Sequence, residues 1–377
     1  MGSNPEVVLP SRHYAGAQRT AGYAGAMAAK RKRSRLKTLA ERDLIANIRE
    51  RAGQTQVAGR KGRILHLGIG DDCAVLRPRA GEELVVTTDL SLENVHFRRD
   101  WHPPQSVGHR CLARGLSDLA AMGARPEAAF LSLALPAELS GYHKGSPYKT
   151  WMQAFFDGLI ALAERYRVPL AGGDLAKSPP GVNRAQGLVV ADIVLLGSVP
   201  MGRSLLRSGA RPGDLIYVTG SLGGSAAELL ALERHPAAFR KKDEGGQGHP
   251  HLYPEPRLAT GRKLMRRRLA TAAIDLSDGL STDLAHLCEE SGLAAEIEVE
   301  SLPVDARASL EQALHGGEDY ELLFTADPET VVPSSLGGVL VHAIGRMKKP
   351  GRGPLLQMSH RGGKRTALAP AGWEHFR

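Results

Sequence analysis

The chain has 377 residues, 42% of them hydrophobic and 24% charged, and a formal net charge of +9. That composition suits a globular chain of about two domains. Cys73, Cys111 and Cys288 are too widely spaced for a disulfide framework or a Cys-X-X-Cys metal site, and no apolar run approaches the ~18 residues that span a bilayer, so a reducing cytoplasm is the expected home.

The charge is segregated. Residues 1–37 carry eight Lys/Arg against Glu6 alone, so +7 of the +9 belongs to them. Residues 1–37 therefore read as a basic, disordered extension. A transit peptide, or attraction to RNA or a membrane surface through Lys30–Lys37, is the alternative.

The folded chain is expected to begin near Lys37. Leu39, Leu44, Ile45 and Ile48 fall at the spacing of an amphipathic helix. The stretch Gly68 to Asp89 comes next and organises the rest. It presents Asp71 and Asp72, then the apolar segment Cys73–Leu76, then the run Leu84–Val86 that ends in Thr87, Thr88 and Asp89, with Glu83–Leu92 as a whole strand-like. Hard oxygens collected at strand ends suit Mg²⁺. A helix is predicted over Pro104–Met122 with a stop at Gly123, and a strand over Ala128–Leu135 closed by Pro136. A second helix spans Trp151–Arg167. Residues 168–174 form a strand entering a glycine turn, and 188–199 a long apolar strand.

The pattern restarts at Pro200. A strand over Asp214–Thr219 and a glycine turn lead into a helix at 225–233. His235–Pro256 reads as a loop insertion in which His249 and His251 are solvated. A helix follows at 257–272, then a strand–turn–helix junction at 272–280, and strands at 292–300 and 316–327. The chain therefore reads as α/β in three parts: 1–37, 38–199 and 200–377. Residues 138–150 and 238–250 look like insertions.

The chemistry lies in a series of oxygens: Asp72, Thr87, Thr88, Asp89, Asp118, Asp174, Asp275, Ser277 and Asp278. One Asp at a turn is ordinarily a cap. Six or more at element ends would repel one another without cations. Two unit charges ~4 Å apart at an effective dielectric near 20 interact with roughly 4 kcal/mol. Divalent cations between carboxylates and a nucleotide's phosphates reverse that sign, as in phosphoryl transfer. No GxxxxGK[ST] loop, His-Arg-Asp loop or DFG is present, and GIGDDC fails the GxGxxG fingerprint. A phosphotransferase built here relies on metals rather than a lysine-bearing cradle.

GIGDDCAVL, TTDLSLENVHF, LARGLSDLAAMGARP, LAGGD, PMGRSLLRSGARPGD, AIDLSDGLSTDL and GGEDYELLF occur in this order. Together they resemble the thiamine-monophosphate kinase family, of the aminoimidazole ribonucleotide synthetase and selenophosphate synthetase superfamily. The resemblance implies a two-domain α/β (α+β) fold. Its N-terminal domain would pair into a dimeric barrel, and helices would cover its C-terminal sheet. It implies ATP-dependent phosphorylation of thiamine monophosphate to thiamine diphosphate by direct in-line transfer, with ATP as co-substrate and several Mg²⁺ ions. Mg²⁺ would be held by Asp72, Thr87, Thr88, Asp89, Asp118, Asp174, Asp275 and Asp278. Gly173, Arg203 and Ser277 would contact ATP, and His96, Glu318 and Trp373 thiamine monophosphate. A homodimer is expected, with no membrane and no specific nucleic-acid partner, and no residue acting as covalent nucleophile or general base. A sister enzyme acting on another acceptor, or a silent nucleotide-binding regulator, is the alternative.

Overall fold

Alternating apolar residues build the first sheet. In the computed structural model, which describes residues 41–53, 64–69, 72–140, 150–179, 187–239 and 248–374, the opening helix is α1 (Glu41–Ala52). Strands β1 (Leu65–Leu67) and β2 (Val75–Leu76) form a hairpin. Then come β3 (Glu82–Leu92), α2 (Pro104–Ala121), β4 (Arg125–Leu135), the short α3 (Ala137–Ser140), α4 (Trp151–Tyr166), β5 (Leu170–Lys177) and β6 (Val190–Pro200). The four longer strands order as β3-β6-β4-β5, antiparallel except for β4 and β5. One face is dry. Leu131, Leu133, Ile193 and Leu195 are buried with Leu112 and Leu116 of α2 and Phe155 and Leu159 of α4. The two helices approach at glycines. A Cβ on Gly108 would meet Phe155 O at 1.9 Å, and one on Gly158 would meet Gln105 O at 1.9 Å.

The opposite face is open. Leu84, Val86 and Leu90 are 38%, 64% and 47% exposed. The β1–β2 hairpin covers only part of it, burying Leu65 with Ala128 and Ala171.

The second half comprises β7 (Leu215–Thr219), α5 (Gly224–Arg234), α6 (Pro236–Phe239), α7 (Leu258–Arg267), β8 (Ala272–Asp275), α8 (Leu280–Ser291), β9 (Ala294–Glu298), α9 (Leu310–His315), β10 (Leu322–Ala326), β11 (Ser335–Leu336), β12 (Val339–Lys348), β13 (Leu356–Ser359) and β14 (Arg365–Ala367). Its sheet runs β14-β13-β9-β12-β7-β10-β8, with β11 on β12. Both faces are covered, so period 2 divides the side chains between two cores. Ile274 and Leu323 pack with Leu280, Leu284 and Leu314 on one side. Ala273, Leu322 and Phe324 join the core of α2 and α7 on the other. Helix α2 thus contacts both sheets, which places one of its faces beside the C-terminal end of β8. Residues Leu36–Arg377 form one compact unit. Among the described residues no helix is long and apolar enough to cross a membrane.

Several expectations are corrected. Strand β3 covers the expected strand-like run Glu83–Leu92, and Thr87, Thr88 and Asp89 lie inside it rather than at its end. Gly172 and Gly173 make no turn. They lie inside β5, and Gly173, at φ +149°, has Leu131 O of β4 only 1.8 Å from where a Cβ would be. The strand predicted from residue 316 starts at Leu322, because Glu318 and Tyr320 take φ +64° and +50°. Helix α7 stops at Arg267, with Arg268 left-handed. The basic extension, Asp71, and the centres of both expected insertions lie outside the described residues.

Candidate active site

Helix α2 sets out the site. Arg110, Arg114 and Asp118 are four residues apart, so they stack along one face. Strand β3 presents Thr87 and Asp89 to that face and Thr88 to the other. Thr87 Oγ1 donates to Asp118, and Arg114 Nη2 is 3.0 Å from Asp89 Oδ1. From the second sheet, Asp275 ends β8 and accepts from Ser117 Oγ at 2.6 Å. The turn after it carries Ser277 and Asp278. Asp283, inside α8, accepts from the Asp278 and Gly279 amides at 3.0 Å each and so fixes that turn.

These elements enclose a cavity of about 260 Å³. Thr88, Asp89, Asp118, Asp275, Ser277 and Asp278 line it together with His96, Glu318, Tyr320 and Trp373. Burial is the main cause that raises the carboxyls above their ordinary range. Asp89 goes up to about 6, with Asp118 and Asp192 adding to the rise and Arg114 opposing it. Asp118 is raised to about 7, by burial and then by the charge of Asp275. Asp275 is raised too, with Ser117 opposing. Such a set gains from a cation. Its all-oxygen chemistry fits a hard divalent ion rather than a soft one.

Glu318 is held in place. Arg110 Nη2 donates to Glu318 Oε1 at 2.6 Å and to His96 O at 3.2 Å. Burial alone would raise the Glu318 carboxyl, but Arg110 holds it well below the usual range. Behind Arg110 lies His251, 1% exposed. Its carbonyl accepts from Arg110 Nη1. Its Nδ1 is 3.0 Å from Ser225 Oγ, its Nε2 is 3.0 Å from His102 Nε2, and its amide donates to Glu228 at 2.7 Å. His249 pairs with Glu228. The expectation of solvated histidines is therefore overturned. Of residues 248–257, only His251 packs against Arg110; His249, Pro250, Tyr253 and Pro254 line a separate cavity of about 670 Å³, and Arg257, which lines it too, pairs with Glu321.

Nine of the fourteen expected residues line the cavity: Thr88, Asp89, His96, Asp118, Asp275, Ser277, Asp278, Glu318 and Trp373. Thr87 touches it through Asp118. Gly173 and Asp174 do not. Asp174 pairs in register with Ser132, and Ser132 with Asp192, on the open face of the first sheet. Thr88 Oγ1 donates to Asp192 on that face at 2.9 Å. Asp72 is exposed in the loop of the β1–β2 hairpin, which packs on the same face. Arg203 points away, its Nη2 donating to Met265 O at 2.9 Å. Arg207, four residues on, is near enough to stabilise ionised Asp118 and Asp275. Sequence reasoning missed Arg110, Arg114, Arg207 and Tyr320. The four-residue spacing of Arg110, Arg114 and Asp118 was the available signal. Nothing in the pattern set Arg207 above Arg203.

The family models that match are those for AIR synthase related protein. The N-terminal domain matches residues 70–199 and the C-terminal domain residues 211–353. The chain is 40% identical to the thiamine-monophosphate kinase of Salmonella typhimurium over 291 residues, 75% of this chain and 81% of that protein. It is 35% identical to the Bacillus subtilis thiamine-monophosphate kinase over 270 residues, 70% of this chain and 78% of that one. Among solved structures, the thiamine-monophosphate kinase of Stenotrophomonas maltophilia K279a superposes with TM-score 0.67 at 34% identity, over 86% of this chain and 98% of that one. AaThiL complexed with AMPPCP and TMP superposes with TM-score 0.63 at 29% identity, over 91% of this chain and 99% of that one.

Proposed function

The chain belongs to the thiamine-monophosphate kinase family, and we propose that the pocket beside α2 and β8 is where it phosphorylates thiamine monophosphate, with ATP as the donor. One observation carries this reading. A cavity of about 260 Å³ gathers four carboxylates together with His96, Glu318 and Trp373. That supplies groups for a polyphosphate with its cations and groups for a flat, cationic acceptor. A relative solved with AMPPCP, an ATP analogue, and TMP supports the pairing of substrates.

Asp89, Asp118, Asp275 and Asp278 are the residues that would hold Mg²⁺, with the hydroxyl of Thr87 beside them, while the Thr88 hydroxyl is turned to Asp192. Asp72 and Asp174 stay outside this set because they belong to the open face. When bound, Mg²⁺ offsets the carboxylates' charge toward the polyphosphate and polarises the transferred phosphoryl group. The chain's own groups align the partners. Arg207, whose charge acts on Asp118 and Asp275, is the phosphate contact, while Arg203 donates through Nη2 to Met265 O. Glu318, kept anionic by Arg110, faces the thiazolium or the aminopyrimidine, and Trp373 offers an aromatic face to the cation. The acceptor phosphate is its own nucleophile. Its second pKa near 6 leaves it largely ionised at neutral pH, so alignment and charge neutralisation suffice.

The reading extends to a cytoplasmic homodimer. The face bearing Leu84, Val86 and Leu90 is covered only in part, and a second copy is the occupant that would bury it. The test of function is direct. Purified protein with ATP, Mg²⁺ and thiamine monophosphate should yield thiamine diphosphate, and EDTA should stop it. Thiamine monophosphate left intact while another phosphate ester is phosphorylated would mean a sister reaction.

A further inference from the structure

Arg114 lines the pocket. It lies one turn from Asp118 and one turn from Arg110 on α2. Through Nη2 it meets Asp89 at 3.0 Å, and its charge also acts on Glu318 and Tyr320. Its side chain is only 14% exposed. Yet Nε and Nη1 are closed to solvent and have no hydrogen-bond partner among the described residues. Nε carries one N–H and Nη1 two, so three of the five donors of this guanidinium are idle. Buried donors without acceptors are uncommon and costly. Arg110 shows the contrast. Its two terminal nitrogens are taken up by Glu318 Oε1, His96 O and His251 O.

We propose that Arg114 binds the phosphate of the acceptor substrate, and that it is what distinguishes a phosphorylated thiamine from thiamine itself. The inference rests on the functional reading above. If the nucleotide's terminal phosphate lies by the carboxylates and the thiamine by Glu318 and Trp373, the acceptor phosphate must lie between them. Arg114, paired with Asp89 and acting on Glu318, lies where such a phosphate would be. A phosphate dianion there faces four carboxylates and Glu318, and needs a cation with donors to spare. A guanidinium fork matches two phosphate oxygens at once. On binding, Arg114 turns part of its contact from Asp89 to the phosphate, which leaves Asp89 freer for a metal ion. Thiamine, lacking the phosphate, gains nothing from this exchange. No bond is made or broken.

The test is calorimetric titration of the full chain, with Mg²⁺ and a non-hydrolysable ATP analogue present. Thiamine monophosphate and thiamine are titrated separately into wild type, Arg114→Met and Arg114→Lys. A charged hydrogen-bond pair of this kind corresponds to about 10- to 150-fold in affinity. Arg114→Met should lose that factor for thiamine monophosphate and keep the wild-type affinity for thiamine, and Arg114→Lys should recover part of the loss. Unchanged affinity for thiamine monophosphate in Arg114→Met overturns the assignment. So does an equal loss for both ligands, which marks a role in packing. Should Arg114→Met fail to fold, Arg114→Lys decides. It keeps the charge but lacks the fork, so full discrimination retained in it sinks bidentate recognition. Wild-type protein that binds no thiamine monophosphate overturns the functional reading itself, and the role of Arg114 with it.

Discussion

Trp373 is fixed by its backbone rather than by burial of its ring. Its amide donates to Asp278 O at 3.0 Å, and the Gly372 amide donates to Thr282 Oγ1 at 3.0 Å. Gly372 leaves no room for a side chain, since a Cβ would come within 2.0 Å of Asp278 O. The residue is 52% exposed and lines the pocket. Trp373→Ala should therefore leave the fold intact. It should raise KM for thiamine monophosphate about 2- to 30-fold, the range of a cation–π contact, with KM for ATP unchanged. A loss of thermal stability with both KM values normal would make the ring a packing residue. Asp118 is the opposite kind of residue. Burial and Asp275 raise its carboxyl to about 7, so its ionised form destabilises the metal-free fold. Asp118→Asn should lower turnover by about 10²-fold or more, while the metal-free mutant melts no lower than wild type. Retained activity would remove Asp118 from the catalytic machinery.

At the scale of elements, the segment 248–257 is what sequence reasoning read least well. Periodicity announced β3, α2, α4 and β6, because each repeats its apolar residues at the period of its own geometry. A loop has no period, so nothing in His249-Pro250-His251 marked it as buried. Its burial is decided by Glu228, Ser225 and Arg110, which come from helices distant in the chain. The run through Gly172 and Gly173 misled for a related reason. Two glycines signal a turn by propensity, but here they admit the close approach of β4. The pocket was more legible than this loop, since carboxylates and hydroxyls announce their chemistry wherever they fall. The buried segment makes its own prediction. His251→Ala removes a hydrogen-bonded group behind Arg110 and should cost about 1–3 kcal/mol of stability. By loosening Arg110 it should also raise KM for thiamine monophosphate several-fold, more than KM for ATP. A lower melting temperature with unchanged KM values would confine the segment to a structural role.

For the whole molecule, the open face of the first sheet and the buried titratable groups each have a consequence. Val86 is the most exposed of the three apolar residues on that face, at 64%. If a second copy covers it, Val86→Asp should shift the protein from dimer to monomer in sedimentation. An unchanged dimer would place the interface elsewhere. The pH dependence of stability follows from two opposed sets of groups. Burial is the first cause that raises Asp89 and Asp275 to about 6, and Asp118 and Asp319 to about 7. Each binds its proton more tightly folded than unfolded, so stability falls as pH rises through 6 to 7. Burial likewise lowers His102 to about 3 and His109 to about 4, and His251 well below its ordinary value. There the unfolded chain takes the protons, so stability is lost as pH falls below about 6.5. The metal-free protein should therefore gain stability from pH 8 down to about 6, where the histidines begin to cancel the carboxyls and the curve flattens. Mg²⁺ and a nucleotide analogue would hold Asp89, Asp118 and Asp275 ionised and remove their share. Below pH 6.5 the loaded protein should then lose stability while the metal-free protein does not. Thermal unfolding at pH 5.5 to 8, with and without Mg²⁺ and the analogue, checks this. Two superimposable curves would mean that the carboxylates of the pocket are not where the ions bind.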